Sequence, residues 1–381
     1  MELTKCKLGE LITQRREKND GSDLPICGVS KDGLIPPKQK DADTSIYNVF
    51  YRDDFIFNPA RMELNSIAIN DMYDRAICSS LYEVFYVHRT DLLLPHYLEL
   101  IIRQKWFTRY CEFLGQGSAR EYCRFGNISE IEIEFPPIEE QQKIVEYNTA
   151  IENRIALKQK INDNLVAVGT ASIQKNVGRG ALINLTEAEM DSLIFPEDFK
   201  IKTVSEFCAE TKSGSTPSRT NNEYWENGTI SWVKSGEVHN NITLQTEEYI
   251  TSLGLSESST KLLPKDTVLM AMYGVTAGEV GYLAIEATTN QAICGMICRS
   301  KAEAAYLYFS LIQSQAAISR LSNGGAQDNL SKNFIDNIKI VVPPSEFIEK
   351  LNLAAIVEQM TLNTKEITLL EELQATVLAQ L

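Results

Sequence analysis

Two adjacent prolines, Pro136-Pro137, open a stretch that no ordinary domain core needs. A double proline removes two backbone donors, so it ends a strand ladder and suits the first turn of a helix. The residues after it, EEQQKIVEYNTAIENRIALKQKINDNLVAVGTASIQ, contain no proline and one glycine, Gly169. Apolar side chains recur at helical spacing at Ile144, Tyr147, Ile151, Ile155, Ile161, Leu165 and Val168. Acidic residues crowd the first turn, where they suit the positive end of the helix dipole. A helix of about 35 residues is roughly 50 Å long, the length of a spacer.

The stretch occurs twice. Pro343-Pro344 lies 207 residues after Pro136-Pro137 (343 − 136), and a second long helical pattern runs from it to Leu381. Alternating steps of three and four pick out Leu353, Ile356, Met360, Asn363, Ile367, Leu370, Gln374, Val377 and Leu381. This is a coiled-coil seam with two polar interruptions, Asn363 and Gln374, of the kind that fix register. Two amphipathic helices, each packed on its own domain, would leave a similar pattern.

The remaining chain also reads as two copies. Met1 to about Glu17 is a short amphipathic opening with Leu3, Leu8, Leu11 and Ile12 on its apolar side. Loops rich in Gly, Pro, Lys and Asp follow from Asn19 to Asp43, then strand-like runs at Ile46–Tyr51, Ser66–Asn70 and Leu81–Val87. Pro95 opens a helix that ends at Gly115, and a glycine loop, a turn and an alternating strand lead to the first double proline. From Lys202 the order begins again: VSEF at 204 echoes LGEL at 8, and AICG at 292 echoes AICS at 76. Gly117 and Gly324 are 207 apart, as are Ile128 and Ile335. A repeat of this length is a duplicated domain plus helix, not a solenoid.

Composition narrows the function. At 381 residues the chain has room for two or three cores. It has no apolar run of membrane-span length and no apolar stretch of signal-peptide length at its start. Eight cysteines without a CxxC and three histidines, His88, His96 and His239, without ligand spacing argue against zinc and disulfide frameworks and fit a reducing cytoplasm. A formal charge of −14 excludes a generally basic nucleic-acid binder, though a local basic cleft remains compatible with it. There is no GxxxxGK(S/T) loop to cradle ATP. Asn58-Pro59-Ala60-Arg61 is similar to the Asn-Pro-Pro-aromatic motif of adenine methyltransferases but lacks its second proline and its aromatic. The chain therefore reads as non-catalytic.

The most informative segment is KSGSTPSRTNNEYWENGTISWVKSGEV, Lys212 to Val238. Its hydroxyls, backbone amides, Arg219 and lysines suit phosphates and base edges, and its aromatics suit stacking or a supporting platform. Trp225 and Trp232 read better as core anchors under a polar loop, Arg219 and Lys234 as exposed contacts. GSTPSRTNNEYW, then GTISWVKSGE, LLPKDTVLMAMYG and TTNQAICG, resemble the second target-recognition domain of type I restriction–modification specificity subunits. NVFYRDDFIFNPARM and AICSSLYEVFYV resemble another variety of that domain, and PPIEEQQKIV is similar to the opening of the family's central helix. PPSEFIEKL departs from the EQ-rich form, which puts the start of the second helix in doubt.

The resemblance covers nearly the whole chain and implies an α/β (α+β) fold with a pseudo-two-fold internal repeat. It implies a target-recognition domain at 1–138, a spacer helix at 139–176, a connector at 177–200, a second recognition domain at 201–344 and a second spacer helix at 345–381. The two helices are expected to form an antiparallel coiled coil. The implied function is sequence-specific binding of double-stranded DNA with a bipartite target. Two methyltransferase subunits and restriction (translocase) subunits are the implied partners; they carry S-adenosylmethionine, ATP and Mg, and this chain carries no cofactor and no metal. Two rivals are a specificity subunit whose partner fuses methyltransferase and nuclease, and a scaffold or anti-restriction decoy that reads no DNA. Contacts are expected in loops: Lys31, Lys38, Arg61, Gln116, Arg120 and Arg124 in the first half, and Ser215, Thr216, Ser218, Arg219, Lys234, Tyr273, Asn290 and Gln327 in the second.

Overall fold

The computed structural model describes residues 3–31, 33–37, 43–115, 122–183, 193–239, 241–322 and 329–379. The chain divides into two compact units, Met1–Arg154 with Leu370–Leu381, and Ile155–Leu369.

The first unit runs β1 (Thr4–Lys7), β2 (Ile12–Arg15), β3 (Ile26–Ser30), β4 (Gly33–Ile35), β5 (Asn48–Tyr51), β6 (Phe55–Phe57), β7 (Ile67–Ile69), β8 (Arg75–Cys78), β9 (Glu83–Val87), α1 (Pro95–Ile102), α2 (Lys105–Gly115), α3 (Phe125–Ser129) and β10 (Glu132–Phe135), then enters α4 (Ile138–Asn176). Its sheets have the orders β2-β9-β6-β7, β4-β3-β8-β5 and β1-β10. Alternation sets the faces. In β10 the glutamates point out while Ile133 and Phe135 join Leu8, Leu11, Phe55, Phe85, Tyr97 and Phe107 in the core. Phe55 and Phe85 stack across the β6–β9 ladder with centroids 4.9 Å apart. Each such buried side chain contributes on the order of 1.5–3 kcal/mol.

Local departures from the sequence reading have physical causes. The amphipathic opening is a strand, a 3-10 turn and a second strand, with Leu8, Leu11 and Ile12 buried but Leu3 exposed. The supposed loop region from Asn19 to Asp43 contains β3 and β4, whose short apolar runs are hidden among turn residues. The helix begun by Pro95 breaks after Ile102, where Gln104 N–H turns back to the Ile101 carbonyl at 3.0 Å, and resumes at Lys105.

The second unit takes up α4 and continues β11 (Ala181–Leu182), β12 (Lys200–Thr203), α5 (Val204–Phe207), β13 (Glu210–Ser213), β14 (Ile230–Val233), β15 (Ile242–Thr243), β16 (Glu248–Ile250), α6 (Ser252–Ser256), β17 (Thr267–Ala271), β18 (Val280–Leu283), β19 (Thr288–Thr289), β20 (Ile293–Ile297), α7 (Lys301–Ser322), α8 (Lys332–Asp336), β21 (Lys339–Val342), α9 (Ser345–Lys350) and α10 (Leu353–Leu378). Its sheet orders are β13-β20-β17-β18-β15, β16-β14-β19 and β11-β21-β12. The stretch read as a connector therefore supplies a strand, β11, to a sheet.

Ladder partners align the two copies better than sequence echoes do. β2 pairs with β9 and β9 with β6, as β13 pairs with β20 and β20 with β17. The parallel pair β3–β8 matches the parallel pair β14–β19. AICS at 76 lies on β8, whose counterpart is β19, whereas AICG at 292 leads into β20. That echo joins strands that do not correspond. The LGEL and VSEF match is sound, since each follows the strand that pairs with β10 or β21.

The inner face of α4 is more polar than the apolar periodicity implies. Gln141, Ile144, Asn148, Ile151, Ile155, Lys158, Asn162, Leu165, Gly169 and Ile173 form a buried and half-buried seam, with Val145, Ile161 and Val166 half-buried beside it. Tyr147 and Val168, read from sequence as part of it, are exposed. The seam of α10 is as expected: its described positions from Leu353 to Val377 are all buried or half-buried. In the second unit Asn363 donates to the Asn162 side chain at 2.9 Å and accepts from Lys158 at 3.2 Å, and Lys158 meets Glu366 at 2.8 Å. Asn162 also donates to Thr364 at 3.3 Å, so the two helices run antiparallel there. In the first unit Gln374 donates to Asn148 at 3.0 Å and to Glu152 at 3.2 Å. Both polar interruptions thus have partners on the other helix, which specifies register at some cost in stability. Gly169 is fixed by close approach: a Cβ there would stand 2.3 Å from the Phe309 ring. The second helix does not start cleanly, because Asn352 adopts φ +53° between α9 and α10.

Candidate nucleic-acid interface

In the first unit a cleft of about 1170 Å³ is walled by β3 and its turn, the Asn58–Leu64 segment, the β8–β9 turn, Tyr122 and Arg124. The Asn58 side chain accepts from Ala60 N–H at 3.1 Å and Pro59 takes the first helical position, so the Asn-Pro-Ala-Arg motif caps a 3-10 turn that presents Arg61. Lys31, Arg61 and Arg124 all line this cleft, with Glu63 and Glu83 as the carboxylates among them. Arg124 is exposed, 3.3 Å from Glu83, with its guanidinium 5.4 Å from the Tyr122 ring centroid. Glu83 is also bound by Phe125 N–H at 2.8 Å and Gln14 at 3.2 Å, which makes it a fixture of the wall. Tyrosine and serine hydroxyls at Tyr47, Tyr82, Ser79 and Ser80 complete a lining suited to phosphate oxygens and base edges.

In the second unit the Lys212–Val238 segment folds around an aromatic pair. Trp225 and Trp232 meet edge to face at 5.0 Å, with Trp232 buried and Trp225 half-buried. Their indole N–H groups donate to the Ser218 and Ser215 carbonyls, each at 3.0 Å. Arg219 lies over both rings, 3.6 Å from the Trp225 centroid and 4.8 Å from that of Trp232, and donates to Glu248. Lys234 reaches Glu247 and, at 3.4 Å, Glu248. Hydrogen bonding from Arg219 holds the Glu248 carboxyl below its usual range, and Glu247 raises the Lys234 ammonium. Ser215 bonds Ser259 at 2.7 Å, Thr216 donates to Gln291, and Ser218 bonds Thr220 at 2.9 Å. Gly214 makes this assembly possible: a Cβ would lie 2.1 Å from the Asn290 carbonyl oxygen. The result is one polar surface in which two cations are already held by carboxylates.

The sequence profile of the type I restriction modification DNA specificity domain fits residues 6–167 and again 196–375. The chain belongs to that family. Its two specificity domains are similar to known subunits at modest identity. The specificity subunit of the type I restriction enzyme EcoR124I/EcoR124II from Escherichia coli is 26% identical over 200 residues, 51% of this chain but only 46% of that relative's length. The HindI specificity subunit from Haemophilus influenzae is 22% identical over 357 residues, covering 76% of this chain and 77% of its own. The crystal structure of a type I restriction–modification system S subunit from M. genitalium superposes with a TM-score of 0.58 at 15% identity, covering 99% of this chain and 95% of that one. That likeness establishes the fold: mixed helix and strand in a duplicated arrangement. Among the described residues no helix is long and apolar enough to cross a membrane.

In the first specificity domain the structure gathers Lys31, Arg61 and Arg124 on one cleft, while Lys38, Gln116 and Arg120 lie outside the described residues. In the second it gathers Ser215, Thr216, Ser218, Arg219 and Lys234, and brings Asn290 against them through its N–H bond to the Val233 carbonyl at 3.0 Å. Tyr273 lies just past the end of β17, exposed; its backbone bridges Asn329, and the preceding Met272 N–H donates to the Ala292 carbonyl at 2.7 Å. Gln327 lies outside the described residues, as do both glycine loops, including Gly117 and Gly324. Sequence reasoning missed Glu247, Glu248 and Gln291, which hold the nominated side chains. The run TEEY at 246 was the available signal, unreadable without the β14–β16 pairing that sets Glu248 opposite Trp232.

Proposed function

We propose that this chain is the DNA-reading subunit of a type I restriction–modification assembly, each specificity domain reading one part of a split target. The observation that supports it best is the specificity-domain match falling once in each half. A cation-bearing surface built from loops in each unit agrees with it. The chain itself is non-catalytic. Two methyltransferase subunits and the restriction subunits supply S-adenosylmethionine, ATP and Mg chemistry in the cytoplasm. Two weak readers on one frame bind tightly only when their half-sites match the frame, because the second contact is then made at high effective concentration.

In this reading α4 and α10 set the unread gap between half-sites. Four residues added after Asn164, just over one helical turn, extend α4 by about 6 Å and rotate its later turns by roughly 40°. DNA rises about 3.4 Å per base pair, so the methylated motif should gain one or two base pairs of gap. Two added residues should rotate the seam by about 200° and destabilise the pair instead. Methylation sequencing of a host carrying each variant reads the outcome. Unchanged spacing with full efficiency in the four-residue variant would remove the helices from this role.

A further inference from the structure

The hairpin from β6 to β7 in the first unit and that from β17 to β18 in the second occupy the same place in their sheets. Their sequences differ, NPARMELNS against MYGVTAGE, yet each lifts one aliphatic side chain clear of the fold. In the first, buried Met62 anchors the 3-10 turn, and Asn65 at φ +50° reverses the chain with its N–H on the Met62 carbonyl at 2.9 Å. Leu64 between them is thrown outward, 59% exposed. In the second, Gly274 and Gly278 turn the chain at φ +71° and +89°. Thr276 and Ala277 pack inward, Ala277 N–H donates to the Gly274 carbonyl at 3.1 Å, and the Ser319 hydroxyl of α7 donates to the Ala277 carbonyl at 3.3 Å. Val275 at the tip is fully exposed.

Neither turn needs an aliphatic residue. Turn positions favour Gly, Pro, Asn, Asp and Ser, and an apolar side chain left in water adds nothing to the core. Each tip is a single aliphatic group beside polar and charged side chains, unlike the contiguous apolar patch of a protein interface. Leu64 lines the cleft together with Lys31, Arg61, Glu63 and Arg124. The Val275 hairpin is joined to the second polar surface: Met272 N–H donates to the Ala292 carbonyl at 2.7 Å, and Ala292 N–H to the Asn290 side chain at 3.0 Å. In the major groove the base-pair edges present one apolar group, the C5-methyl of thymine.

We propose, on the DNA-reading function above, that Leu64 and Val275 each read a thymine by packing on its C5-methyl group, one in each half of the split target. Cytosine in that place offers no methyl, and its N4 amino donor would be covered by an aliphatic side chain that cannot accept its hydrogen bond. The two domains thus place the same kind of contact at the same hairpin while their cations differ.

The test uses the full chain assembled with its methyltransferase subunits and a duplex carrying the split sequence methylated in the host. Each thymine is replaced in turn by deoxyuridine, which removes the C5-methyl and keeps the pairing. With the parent chain, deoxyuridine at one position in each half should weaken binding about fourfold, the worth of one buried methyl. Val275→Ser should silence that effect in one half only, and Leu64→Ser in the other half only. Serine suits both turns, so each variant should keep the parent's unfolding midpoint. Equal binding of thymine and deoxyuridine duplexes at every position would overturn the proposal, as would a methyl effect that survives both serine variants. A complex that selects no split sequence would overturn the DNA-reading function itself, and the proposal with it.

Discussion

The two specificity domains share their ladders and differ in how they hold their cations. In the first, Lys31, Arg61 and Arg124 line an open cleft beside two carboxylates, one of them occupied by a backbone N–H. In the second, Arg219 pairs with Glu248 and Lys234 with Glu247 and Glu248, so that Glu248 takes both cations. The β2-β9-β6-β7 plan recurs as β13-β20-β17-β18 because backbone pairing defines the fold. The loops between those strands are free to vary, and charge placement varies with them. A duplicated domain can therefore present two unlike surfaces on one scaffold. The second surface is pre-formed and self-compensated; the first is open.

The largest expected contrast lies at the base of the second surface. Gly214 directly follows β13, as Arg16 directly follows β2. Gly214 is wedged against the Asn290 backbone, whereas Arg16 is exposed. Gly214→Ala should cost about 3 kcal/mol by overpacking against backbone, while Arg16→Ala should change stability by less than about 0.5 kcal/mol. Denaturant unfolding measures both. Equal costs would mean that the two loops are anchored alike.

A second contrast separates the polar layers of the helix pair. Asn363 is fully buried with Asn162 and Lys158, and Gln374 is half-buried with Asn148 and Glu152. Asn363→Ala leaves buried polar groups without a partner and should cost about 2 kcal/mol, against roughly 0.5 kcal/mol for Gln374→Ala. A reversed order would place the register-fixing layer in the first unit.

The smallest effect concerns the latch on Arg219 and Lys234. Glu248→Gln removes one negative charge beside two cations and should raise affinity for non-target DNA on the order of fivefold, with a steeper salt dependence. Glu83→Gln in the first domain should do less, since Glu83 holds one cation and a backbone donor. Arg219 holds Glu248 below the usual carboxylate range, so the latch is intact above the unfolded-state pKa and is lost as pH falls through the folded one. The advantage of Glu248→Gln should accordingly shrink in acid. An unchanged salt slope at neutral pH would show that these cations do not meet phosphates.

Repeats and broken periods are the legible features of this sequence. The double prolines, the 207-residue spacing and the three-four seam of α10 are such features, and they place the duplication and both long helices. The seam of α4 was partly hidden because it runs through Asn148, Lys158, Asn162 and Gly169 while Tyr147 and Val168 face outward. An apolar count selects the wrong residues wherever a helix pair is held by hydrogen bonds. Strands β3 and β4 were hidden for another reason: five and three residues are too short to show a period among turn residues. At the candidate surfaces the cations could be named, but their partners could not. Arg219 and Glu248 are 29 residues apart and meet only through tertiary pairing.

The central claim is that each domain reads its own half of a split target. Replacing residues 1–135 with those of another specificity subunit, then sequencing the methylated sites in the host, tests it most directly. One half of the methylated motif should change, while the other half and the gap between them stay as they were. A motif altered in both halves would contradict independent reading by the two domains.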